Sequence, residues 1–186
     1  SWLLEHAHPL VKVTIVPRGK ALGAAWYLPE ERSITTKEQL LDEMCSALGG
    51  RAAEQLIFNK ISSGAQNDLE KITKQAYAMV SIFGMSEKVG NVSYYDSSGQ
   101  SDYSFTKPYS EKTAELIDEE VKVIIDKQYE RALNVLKENA EGHAKLANLL
   151  LEREVIFSED LEAIFGKRPW DRKHVIPENA DKQVVK

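Results

Sequence analysis

Residues 110–140, "SEKTAELIDEEVKVIIDKQYERALNVLKENA", decide the class of fold. Leu116, Ile117, Val121, Ile124, Ile125, Tyr129, Leu133 and Leu136 recur every three or four residues, with charged residues between them. That is the period of a helix with one buried face. Ser110 stands where a hydroxyl can accept from the first free backbone N–H groups and start it. A helix of this length needs other helices to cover its stripe, so the class predicted is mainly α.

Working outward, the N-terminal side supplies those partners. Thr35 and Thr36, each followed three residues later by Glu38 or Gln39, form overlapping capping boxes ahead of "KEQLLDEMCSALGGRAAEQLIF" (37–58). Gly49 and Gly50 interrupt that pattern and cost about 2 kcal/mol of helix propensity. They imply either close packing against a neighbour or a break. "SSGAQNDLEKIT" (62–73) begins with a polar hinge and leads into a helix from about 65 to Phe83. Its stripe is Leu69, Ile72, Ala76, Met79, Val80 and Phe83, and Gly84 sits where a helix stops. After the long helix, "GHAKLANLLLERE" (142–154) and a short segment from Ser158, "EDLEAIF", complete the helical set.

The small β element lies near the N-terminus. Val11, Val13 and Ile15 alternate with Lys12 and Thr14, the period of a half-buried strand. "PRGK" turns the chain, "ALGAAWYL" forms a second strand, and Pro29 ends the unit. Gly23 in that second strand suggests a bulge or a close backbone approach. "NVSYY" (91–95) is a further short strand candidate, and "DSSGQSDYS" (96–104) reads as a polar loop. Beyond Trp170 the tail, residues 171–186, is polar and patternless, and reads as disordered.

Composition narrows the function classes. With 186 residues, 42% hydrophobic and 28% charged, the chain can build a core. A net charge of −5 argues against a nucleic-acid surface, which needs clustered positive charge. No run of apolar residues reaches the roughly 20 needed to span a bilayer. The single cysteine, Cys45, lies within an amphipathic pattern and reads as core packing. The four histidines, His6, His8, His143 and His174, include no pair spaced to bind one metal from one helix face. His6 and His8 read as a polar loop before the first strand, and His143 as a residue at a helix start. "GGRAAE" lacks the Lys-Ser/Thr of a phosphate loop, and no serine stands in a nucleophile elbow.

Four long segments carry a resemblance: "HPLVKVTIVPRGKALGAAWYLPEE", "LGGRAAEQLIF", "SSGAQNDLEKITKQAYAMVSIFGMSEKVG" and "KPYSEKTAELIDEEVKVIIDKQYERA". Together they resemble the peptidase domain of FtsH-type ATP-dependent zinc metalloproteases, in order, over residues 1–170. That family is membrane-anchored in bacteria and similar to AAA proteases of the mitochondrial inner membrane. The resemblance implies a mostly helical peptidase domain in a homo-hexameric ring beneath an ATPase ring. It implies polypeptide substrates, zinc, and ATP consumed by an ATPase domain outside this chain. It places the protein at the cytoplasmic face of the bacterial inner membrane or at the mitochondrial inner membrane, with the anchor outside these residues.

The resemblance also assigns site residues. Asp68 matches the family's third zinc ligand in "GAxxD"; by itself, a carboxylate there would only favour a helix N-terminus. Glu54 could support the metal by orienting a ligating His; otherwise it is a solvated or ion-paired helix residue. The second strand suits an exposed edge that grips a substrate backbone. Gly23, Ala24 and Ala25 offer little bulk there, and Trp26 and Tyr27 could line a pocket. The alternative is that the strand's small residues merely fit a crowded sheet.

The family's His-Glu-x-x-His, two ligands and the general base, falls just before "WLLEH" and is absent from these residues. The expectation is a truncated peptidase domain, weak in zinc and inert alone. A non-catalytic helical scaffold that keeps the fold is the rival reading.

Overall fold

The computed structural model describes residues 1–17, 19, 21–28, 34–94 and 108–170. Over these, six α-helices and three short strands follow in this order: β1 (Leu10–Thr14), β2 (Ala24–Tyr27), α1 (Lys37–Ala47), α2 (Gly49–Phe58), α3 (Gln66–Ser81), α4 (Glu111–Glu138), α5 (Ala140–Arg153), β3 (Val155–Phe157) and α6 (Ser158–Phe165). The fold is mainly α with a small sheet, as the helical periodicity predicts.

α4 is the spine of the fold. Ser110 accepts from the Thr113 amide at its start, and the buried face carries Ile117, Val121 and Ala132. α1, α2 and α3 pack on it. Met44, Ile72, Met79 and Ile117 are enclosed between them, each at most 1% exposed. Cys45 belongs to the same cluster, so its reading as a core residue holds. Thr36 and Gln39 make the reciprocal capping box at α1.

The glycine pair is a break. α1 ends at Ala47 and α2 begins at Gly49, with Leu48 between them. A Cβ on Gly49 or Gly50 would meet nothing within 4 Å, so close packing is not their reason. α3 ends at Ser81, earlier than the stripe suggested; Phe83 lies past it and is 53% exposed. Gly84 has φ +63°, the left-handed turn that glycine allows at the end of a helix.

Residues 91–94 of the expected strand "NVSYY" are not in a strand. Instead the Tyr94 amide bonds to the Ser81 carbonyl, and the Tyr94 ring packs edge-on against Tyr109. Tyr95, the loop 96–104, Pro29 and the tail 171–186 lie outside the described residues.

The sheet has the order β2-β1-β3, with both pairings antiparallel. β3 was not legible beforehand: three residues between two helices give no period to read. Two buried polar ties fasten the N-terminal segment beneath the sheet. Asp42 on α1 accepts from the His6 amide at 2.8 Å and pairs with Arg131 of α4. Arg168, beyond α6, donates to the carbonyls of Leu4 and Ala7 at 2.9 and 3.0 Å.

Candidate metalloprotease site

The region around Asp68 is built from α2 upward. Arg51 and Glu54 stand three apart, on one face of α2, and both reach the hinge that follows. Arg51 donates to the Ser62 carbonyl at 3.4 Å. Glu54 accepts from the Ser62 hydroxyl at 2.6 Å and from its amide at 3.1 Å. The hydroxyl bond, then the amide bond, hold the Glu54 carboxyl below the usual carboxylate range. The Ser62 oxygen in turn accepts from Gly64, and a 3-10 turn (Ser63–Ala65) runs straight into α3.

That path leaves Asp68 exposed on the first turn of α3, where free N–H groups and the helix dipole favour a carboxylate. The neighbour of interest is Tyr27, the last residue of β2. Enclosure of its hydroxyl end pushes the Tyr27 phenol above its usual range, although 43% of the residue's surface is exposed. The nearby Ser46 hydroxyl opposes that shift, and the negative charge of Asp68 adds to it. The carboxylate and the end of the strand therefore share one electrostatic environment.

β2 pairs with β1 on one side only among the described residues, and all four of its residues are exposed. Ala24, Ala25 and Trp26 thus lie on a free strand edge. Gly23 has a separate reason. A Cβ there would stand 2.7 Å from the Thr14 carbonyl oxygen, so glycine alone lets the chain enter β2 so close to β1. This is the close backbone approach expected for it.

Asp68 acts on Tyr27 only through its charge, and Glu54 is bound to the hinge before α3. The described histidines do not join: the His6 amide and the His8 imidazole, 3.4 Å from Glu43, meet α1, and His143 lies on α5. Among the described residues no three His, Cys, Asp or Glu side chains gather to hold a metal ion. Asp68 fits one oxygen ligand of a zinc site, and the nitrogen ligands have no counterpart around it. Unforeseen from the sequence were the Asp42–Arg131 and Arg168 ties, because partners so far apart in the chain leave no local pattern.

Comparison with known proteins settles the family. The model of Peptidase family M41 matches residues 1–164. The chain belongs to this family. The M41 chain is 73% identical over 170 residues to the ATP-dependent zinc metalloprotease FtsH of Parabacteroides distasonis, covering 91% of this chain and 25% of that protein. It is 57% identical over 164 residues to the FtsH of Karelsulcia muelleri, covering 88% and 26%. It is 50% identical over 178 residues to the mitochondrial inner membrane m-AAA protease component AFG3L2 of Mus musculus, covering 96% and 22%. The M41 chain thus spans about a quarter of the length of these curated relatives. No helix among its described residues is long and apolar enough to cross a membrane.

Proposed function

We propose that these residues form the proteolytic part of a longer ATP-dependent zinc metalloprotease that degrades polypeptides, including membrane and damaged proteins. The observation that carries the reading is the placement of Asp68. An exposed carboxylate stands on the first turn of α3, just after the Gly64-Ala65 turn, in a chain of the M41 family.

In this reading Asp68 is the carboxylate ligand, and a His-Glu-x-x-His helix outside these residues supplies two imidazoles and the general base. Zinc bound there would polarise the scissile carbonyl and acidify a bound water. β2 takes the substrate as an added strand, gripping backbone rather than side chains, which suits an enzyme acting on many sequences. Glu54 keeps the hinge before α3 in place through Ser62 and, in the longer protein, orients a ligating His. In the longer protein this domain is part of a homo-hexameric ring, and ATP-driven unfolding and a membrane anchor are assigned to other parts. A bacterial inner membrane or a mitochondrial inner membrane is the proposed location, and nucleic acid is not a proposed partner.

The residues alone, with one ligand of three, are proposed to be inert and weak in zinc. The test is Asp68→Asn in the longer protein. It is expected to lose zinc on dialysis and to lose proteolysis while keeping ATP hydrolysis. Retained zinc and activity would return Asp68 to a helix-start role worth about 0.3–1 kcal/mol.

A further inference from the structure

The sheet carries a row of three side chains that neither the packing nor the proposed zinc chemistry uses. Lys12 of β1 is in register with Trp26 of β2 on one side and with Phe157 of β3 on the other. Its ammonium lies 5.1 Å from the centre of the Trp26 ring and 6.0 Å from that of Phe157. Both rings stay open to solvent, 40% and 48% exposed. The next row, Ile156, Val13 and Ala25, alternates to the opposite face, where Ile156 is fully buried. The lysine row is therefore the outward face of the sheet. Among the described residues no carboxylate pairs with Lys12.

Two aromatic faces hold an ammonium in place by their negative quadrupoles, without neutralising it. A substrate added along β2 would place alternate side chains on this face, next to Trp26. We propose that Lys12, fixed between Trp26 and Phe157, makes this edge prefer an acidic substrate side chain at the position paired with Trp26 and reject a basic one. The proposal rests on β2 being the substrate strand. Trp26 would meet the side chain directly, Lys12 would act on it by charge from one strand further in, and Phe157 positions Lys12.

The test uses the full-length protease and extended peptide reporters identical except at one residue. Glu, Gln or Lys is placed in turn at four consecutive positions around the scissile bond. At alternate positions, kcat/KM is expected to fall in the order Glu, Gln, Lys, spanning about five- to tenfold, because attraction and like-charge repulsion both contribute. The difference should lie in KM, and should shrink at about 0.5 M salt, where exposed charges are screened. Lys12→Met is expected to bring the three peptides within about twofold of each other, and Lys12→Arg to restore the order. A wild-type enzyme indifferent to the three residues, or an order unchanged in Lys12→Met, overturns the proposal. Ala25→Pro, at a residue whose N–H faces the open edge, separates this failure from failure of the strand reading. If Ala25→Pro cleaves all three peptides normally, the strand reading falls and the Lys12 proposal with it. If Ala25→Pro raises KM while Lys12→Met keeps the order, only the Lys12 proposal falls.

Discussion

Glu54 and Ser62 are bound to each other twice, hydroxyl to one carboxylate oxygen at 2.6 Å and amide to the other at 3.1 Å. This pair joins the end of α2 to the turn that launches α3, and so fixes where Asp68 emerges. The same Ser62 oxygen also accepts from Gly64, which makes it the hub of the hinge.

Ser62→Ala removes the hub while leaving Glu54 and Asp68 in the chain. The expected cost is about 1 kcal/mol of stability in denaturant unfolding, the usual loss for a capping hydroxyl. In the longer protein it should also weaken zinc retention, since the ligand's helix would no longer start from a held turn. Unaltered stability and metal content together would show that the hinge is set elsewhere.

Ala25→Pro strikes the free edge of β2: the Leu28 amide bonds to Pro9 on the β1 side, so by alternation Trp26 and Ala24 also face β1 and the Ala25 N–H points outward. Proline cannot donate a ladder hydrogen bond, so the longer enzyme should show a sharply raised KM for peptides with its zinc still bound. Gly23→Ala offers a contrast on the β1 side of the strand. Its methyl would press on the Thr14 carbonyl, so its expected effect is on folding stability, read as a lowered melting temperature. A normally folded Ala25→Pro enzyme with unchanged KM would mean that substrate pairs elsewhere.

Glu120 gives the fold a defined pH dependence. Lys88 lies 2.7 Å from one of its oxygens and the Ser86 hydroxyl 2.9 Å from the other. The Lys88 bond is the main cause holding the Glu120 carboxyl low, against its own burial, and Ser86 acts in the same direction. Glu120 raises the Lys88 ammonium in return. A lowered carboxyl stabilises the fold above its unfolded value, about 4.3, and loses that contribution as pH falls through the folded value. A raised lysine contributes below about 10.4 and loses its contribution as pH climbs through the folded value. Glu120→Gln should therefore melt about 2 °C lower across neutral pH. The gap should close toward strong acid, as thermal scans from acid to neutral pH would show. A gap that persists in strong acid would mean that shape, not charge, sets it.

Association is expected to be weak without the remainder of the protein. The end of α2 and the segment after it expose Ile57, Phe58 and Ile61 at 61%, 70% and 52%, which can drive self-association at high concentration. Light scattering of residues 1–186 across a dilution series should show oligomers giving way to monomers. A hexamer that survives nanomolar dilution would place the whole drive for ring assembly in this domain.

The sequence by itself determined what depends on neighbours within a turn or two. The stripe of α4, the Thr36 capping box and Asp68 on the first turn of α3 all follow from spacings of three or four residues. So do the buried thiol of Cys45 and the existence of the strand at Leu10–Thr14, although it buries Leu10 and Thr14 and leaves Val11 and Ile15, expected inside, exposed. The family was legible as well, because long ordered segments matched it. Tertiary structure decided what depends on residues far apart. It turned the glycine pair into a break at Leu48, took residues 91–94 out of any strand, and left Phe83 outside α3. It made a strand of Val155–Phe157, which forms only because β1 offers it an edge. It also set Lys12 between Trp26 and Phe157, and tied Leu4 and Ala7 to Arg168. No periodicity encodes such pairings: each depends on closing a long loop, and that closure is favourable only once the helices have packed around α4.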